Sequence, residues 1–126
     1  MLIFQYSQSL GRFYIQCDET SERALLGVGY AGRGTGRNNP QQQHMKNVGP
    51  LPRGMYTIGF AQKHPRLGPL AYRLTPAWSN VMFERSGFFI HGDNKTNDAS
   101  QGCVVLPKPL REIVATSGIS RLWVVQ

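Results

Sequence analysis

The chain has 126 residues, 40% of them hydrophobic and 10% aromatic, with 14 Gly and 8 Pro. That length suits one domain spanning residues 1–126, with roughly two-thirds of its unfolded surface buried and no need of metal or disulfide staples. Frequent turns exclude a helical bundle or coiled coil, and no apolar run approaches the ~20 residues of a membrane span. Fourteen basic residues against seven acidic give a net charge of +7. Such a surface attracts polyanions or a carboxylate-rich polymer. The charges are scattered and no recognition motif accompanies them, so nucleic acid is not expected as a partner.

In chain order, Leu2–Tyr6 and Arg12–Cys17 alternate apolar and polar residues around SQSLG, which predicts a hairpin. Cys17 shares the face of Phe13 and Ile15 and reads as a small core residue. Arg23–Val28 adds a strand, and Gly29–Asn47 reads as a long glycine-rich loop. NVGPLPRG is a Pro/Gly turn into MYTIGFA, where Tyr56, Ile58 and Phe60 share a face, and AYRLT continues the pattern. Phe88–His91, Cys103–Leu106 and Arg121–Gln126 are further strands. The one helix is expected over Pro109–Ser117: proline opens it, Leu110, Ile113 and Val114 form its apolar stripe, and Gly118 closes it. The expected fold is mostly β, a sandwich or partly closed barrel with one short helix near the C-terminus.

GVGYAG (Gly27–Gly32) fits the dinucleotide fingerprint G-x-G-x-x-G. That motif works only where a helix begins in the glycines, and GRGTGRNNP, which follows, cannot form one. His44 and His64 lie in polar stretches and read as exposed and inert. A zinc site using His91, Asp93, Cys103 and a distant histidine lacks the paired spacings of metal ligands.

Chemistry concentrates in GFFIHGDNKTNDASQGCVVLP (Gly87–Pro107). A strand delivers His91 at its end, and a turn of small residues presents Cys103 at the start of the next. A thiol is mostly protonated at neutral pH, and an imidazole held at a neighbouring strand end can take its proton. A thiol pKa depressed by His91 would mark such a pair. Gly102 lets the backbone approach a carbonyl closely, and the N–H groups of Gly102 and Cys103 form a candidate oxyanion site.

His91-Gly92 followed by S-x-G-C-V at 100–104 resembles the signature of the L,D-transpeptidase catalytic-domain family. FERSGFFIHGDN, ASQGCVVLP, NVGPLPRGMYTIG and GYAGRGTGRNNP together resemble its compact type VI secretion effector subfamily. The resemblance implies a cysteine-dependent peptidoglycan enzyme, an L,D-carboxypeptidase or L,D-transpeptidase that also exchanges D-amino acids, with tetrapeptide stems as substrate and no cofactor or metal. Cys103 would be the nucleophile and His91 its base, with the Ser100 backbone carbonyl orienting the imidazole. Gln101 and Val105 stand where many members carry basic residues, so the substrate carboxylate would fall to Arg85, Arg33 or Arg37. Asp93 and Asn94 would either touch substrate or brace their loop. An effector is expected to have a cognate immunity protein and a secretion-apparatus partner. Met1–Leu10 does not read as a secretory leader, so the chain is expected to be made in the cytoplasm and delivered to a target periplasm. The competing reading is a non-catalytic wall-binding module with a degenerate His–Cys pair.

Overall fold

A computed structural model describes residues 1–126. The strands are β1 (Leu2–Ser7), β2 (Arg12–Cys17), β3 (Arg23–Val28), β4 (Tyr30–Ala31), β5 (Gly54–Ile58), β6 (Gln62–His64), β7 (Gly68–Pro76), β8 (Phe89–His91), β9 (Val104–Val105) and β10 (Arg121–Val125). The helix, α1, spans Lys108–Ser117. Pro109 lies in its first turn and Gly118 ends it in the left-handed conformation at φ 71°, as expected for a residue without Cβ. No helix is long and apolar enough to cross a membrane.

One sheet runs in the order β3-β2-β1-β10-β5-β7-β8-β9-β4, with β6 paired to β7. It is not closed by hydrogen bonds, yet its two edge strands β3 and β4 are separated in the chain by Gly29 alone. The sheet must therefore curl until its edges meet at this residue. Glycine is required there, because a Cβ would collide with the Val105 carbonyl. This is the mostly β, partly closed architecture expected from the sequence. The GVGYAG stretch supplies the end of β3, this crossing and β4, and no helix starts in it.

Most neighbouring strands are antiparallel; β1–β10 and β8–β9 are parallel. Phe4, Tyr6, Phe13, Tyr56, Leu74, Ile90, Val104 and Leu122 fill the enclosed core, and α1 buries Leu110 and Val114 against it. The helix is anchored to the sheet by the Tyr72 hydroxyl, which donates to the Arg111 carbonyl at 2.7 Å.

The structure differs from expectation in four places. Phe60 lies beyond the end of β5 and is exposed, so it does not share the buried face of Tyr56 and Ile58. The Gly29–Asn47 loop contains β4, whose two residues pair with Val105 and Val104; two residues are too few for any periodicity to show. β6 was also too short and polar to be seen. Cys17 is half-buried at the end of β2 with its thiol 3.0 Å from Glu19 Oε2, outside the central core.

Candidate active site

The parallel pairing of β8 and β9 assembles the site. Ile90 pairs with Val104 and His91 with Val105, so one residue earlier Phe89 lies beside Cys103. Alternation sends Ile90 and Val104 into the core and turns Phe89, His91 and Cys103 to the opposite face. Cys103 and His91 become diagonal neighbours on adjacent strands and line one cleft of about 240 Å³. A larger groove of about 620 Å³ around Trp123, Val81 and Phe83 contains neither cysteine nor histidine.

The imidazole of His91 is 2% exposed. Its Nδ1 lies 2.7 Å from the Gly92 carbonyl oxygen, which can only accept, so Nδ1 carries the proton. Nε2 is then left with its lone pair, and it is buried without a partner. Its own neighbour therefore orients the ring, not the Ser100 carbonyl suggested by the resemblance. Strand β8 ends at His91, which leaves the Gly92 carbonyl out of the ladder and within reach of the ring.

Ser100 has a different task. Its fully buried Oγ accepts hydrogen bonds from Gly32 N–H at 2.8 Å and Gly102 N–H at 3.0 Å, and donates to the Cys103 carbonyl at 2.6 Å. This hydroxyl ties the turn that carries Cys103 to the residue after β4. It also occupies the Gly102 N–H, which removes Gly102 from the oxyanion pair expected from the sequence and leaves the Cys103 N–H as the candidate donor.

Cys103 Sγ accepts the Phe89 N–H at 3.3 Å. Burial pushes the thiol pKa up, against lowering contributions from that N–H, its own backbone and the charges of Arg85 and Arg66. Burial also pushes the His91 pKa down, with the Gly92 bond opposing it and the Arg111 charge adding to it. Both effects favour a neutral thiol beside a neutral imidazole, so the depressed thiol pKa expected of the pair is not what the resting geometry favours.

The remaining expected residues divide sharply. Arg85 is only 4% exposed and donates to the carbonyls of Gln43 (2.5 Å), Pro50 (2.8 Å), Gly49 (2.9 Å) and Gln101 (3.2 Å). It is a structural clamp between the proline turn and the turn that carries Cys103, with no free face for a substrate carboxylate. Arg37 stacks 3.7 Å over the Tyr30 ring and donates to the Asn97 carbonyl at 2.7 Å. Asp93 accepts the Tyr30 hydroxyl at 2.6 Å, and that hydroxyl accepts the Ala99 N–H at 2.9 Å. One phenol thus joins both ends of the excursion between His91 and Cys103. Asn94 caps the same loop, with its Oδ1 accepting the N–H groups of Thr96 and Asp98. None of Arg37, Asp93 and Asn94 lines the cleft; Arg33 does.

Sequence reasoning missed His64, Arg66 and Asp98, which also line the cleft. His64 is not an inert exposed residue: its Nδ1 accepts the Arg66 and Leu67 N–H groups, and its ring packs edge-on against Phe89 at 5.0 Å. No local pattern announces these residues, because β6 and the turn after it reach the cleft only through pairing with β7. His44 is exposed and outside this cleft, as expected.

The Tlde1 domain, which defines a family of type VI secretion L,D-transpeptidase effectors, matches residues 27–125. The chain belongs to the Tlde1 domain family. Its fold is that of the L,D-transpeptidases. Bd1075 of Bdellovibrio bacteriovorus superposes with a TM-score of 0.64 at 13% identity, covering 99% of this chain and 47% of that one. L,D-transpeptidase 1 of Mycobacterium tuberculosis gives 0.56 at 17% identity, covering 99% and 62%. The complex of that enzyme, LdtMt1, with imipenem gives 0.54 at 16% identity, covering 98% and 58%. This Tlde1 chain thus spans about half to three-fifths of the length of those structures. No curated protein sequence matches it.

Proposed function

We propose that residues 1–126 form one catalytic domain, a cysteine-dependent L,D-carboxypeptidase and L,D-transpeptidase acting on peptidoglycan tetrapeptide stems. The observation that supports this reading is a thiol and a pre-oriented imidazole placed in one cleft. Parallel strand ends set Cys103 and His91 on one face of one cleft, with the His91 lone pair at Nε2.

In the proposed reaction, Cys103 Sγ attacks the carbonyl carbon of the third stem residue, meso-diaminopimelate in Gram-negative walls. His91 Nε2 takes the thiol proton as the S–C bond forms. Because both groups rest neutral, this transfer belongs to the attack itself and not to a preformed ion pair. The Cys103 N–H donates to the oxyanion. Collapse breaks the C–N bond, His91 returns the proton to the departing D-alanine amine, and a thioester remains. Water then yields a shortened stem, a D-amino acid an exchanged one, and the amine of another stem a crosslink.

Membership of the Tlde1 family supports an antibacterial role in a target periplasm, with an immunity protein and a secretion-apparatus component as partners. The decisive experiment incubates the protein with purified sacculi or tetrapeptide muropeptides and identifies products by mass. Loss of the terminal D-alanine, absent in Cys103→Ala, is the expected result. Unchanged muropeptides with the protein retained on sacculi would leave only a wall-binding module.

A further inference from the structure

Three charged side chains on the cleft wall keep hydrogen-bonding capacity that the protein does not use. Arg33 follows β4, Arg66 lies in the turn between β6 and β7, and Asp98 lies in the excursion between β8 and β9; all three are exposed and line the cleft with Cys103. The molecule's salt bridges involve only the terminal amine with Asp18 and Glu19, so none joins these three. Arg23, Arg37, Arg85 and Arg111 each hold oxygens of the protein; no such bond engages the guanidinium of Arg33 or Arg66. Asp98 accepts from Asn94 Nδ2 at 2.7 Å and Thr96 Oγ1 at 2.5 Å, both on Oδ1, which leaves Oδ2 open.

Their placement is asymmetric about the sulfur. In the order β7-β8-β9-β4, the Arg66 turn approaches from the β7 side and Arg33 from the β4 side. Arg66 is near enough for its charge to act on Cys103, while the charge of Arg33 acts on Asp98 after that carboxylate's bonds from Thr96 and Asn94. Arg85 is the other cation acting on that sulfur, but its donors are taken by carbonyls, so Arg66 is the cation near Cys103 with donors to spare, and a cation with an anion stands on the opposite wall.

A tetrapeptide stem has the matching pattern. The carboxylate of its last residue lies three bonds from the reacting carbonyl, and the diaminopimelate side chain ends farther off in an ammonium and a carboxylate on one carbon. We propose that Arg66 binds the C-terminal carboxylate of the leaving residue, and that Arg33 with Asp98 binds the zwitterionic end of the diamino acid. This rests on the stem-peptide reading of the cleft. It makes the enzyme selective for free tetrapeptide ends and for diaminopimelate over lysine, whose side chain lacks the carboxylate.

Binding measured by calorimetry in the Cys103→Ala protein tests this apart from catalysis. The ligands are the diaminopimelate tetrapeptide, its C-terminal amide, and the lysine tetrapeptide. Each change to the ligand should weaken binding roughly tenfold or more, the usual worth of a charge-assisted bond. Adding Arg66→Gln should abolish the penalty for amidation and keep that for lysine; adding Arg33→Gln should do the reverse, and Asp98→Asn should weaken the diaminopimelate and lysine peptides alike, since both carry the side-chain ammonium, and leave both penalties in place. All three positions are exposed, and unchanged melting temperatures would confirm folding. Equal affinity for the three peptides, no measurable stem binding, or an amidation penalty that survives Arg66→Gln would overturn the inference. Turnover by the wild-type protein is followed in parallel: discriminating binding without turnover would overturn the catalytic reading and leave this one standing.

Discussion

Ser100→Ala separates the role visible in the structure from the one suggested by family pattern. If only the Ser100 backbone carbonyl mattered, alanine would keep it and change little. The structure instead places Oγ at the centre of three hydrogen bonds, to Gly32 N–H, Gly102 N–H and the Cys103 carbonyl, in a fully buried position. Alanine leaves two donors and one acceptor without partners, and each buried unpaired group costs about 1–3 kcal/mol. The low end applies where the carbonyl beside the half-buried Cys103 can recruit water, so the expected loss is about 3–5 kcal/mol. With a typical urea slope near ~2 kcal/mol/M, the unfolding midpoint should fall by roughly 1.5–2.5 M. Urea unfolding followed by tryptophan fluorescence measures this directly. Because the turn that carries Cys103 is released, muropeptide processing should also fall under conditions where the variant remains folded. A midpoint within about 0.3 M of wild type, with processing intact, would refute the argument.

Other outcomes follow from the same geometry. Burial raises the Cys103 pKa and lowers that of His91, so iodoacetamide should alkylate Cys103 slowly at neutral pH and faster only above the ordinary thiol range. Turnover should hold at neutral pH and fall only as His91 protonates below its ordinary pKa of about 6.5; a thiol titrating below its usual range in wild type but not in His91→Ala would contradict this. Tyr30→Phe removes the bridge between Asp93 and Ala99 and should cost about 1–3 kcal/mol in denaturant unfolding, with a drop in processing as the loop loosens; unchanged stability would show the bridge to be idle. Arg85→Lys should not restore what Arg85→Ala loses on heating, because one ammonium cannot reproduce a planar fork serving four carbonyls.

The local patterns of the chain specify most of its elements. Alternation over Arg12–Cys17 predicts that strand to the residue, the added strand Arg23–Val28 also keeps its bounds, and proline and Gly118 delimit the helix to within one residue. The His91 and Cys103 candidates were equally legible, because both the strand-end chemistry and the motif around them are local. The cleft was not. Arg66 and His64 reach it because β7, the partner of β6, also pairs with β8 and sets His64 against Phe89, and Asp98 because its loop returns from β8 to β9; such placements leave no periodic trace in short polar segments. Tertiary structure also reassigned residues whose side chains look alike in sequence. Arg85 and Arg33 are both arginines near glycines, but one is buried among four carbonyls that consume its donors, and the other stands free on the rim. Residue type determines what a side chain can do; burial and the partners brought to it determine which of those capacities is already taken.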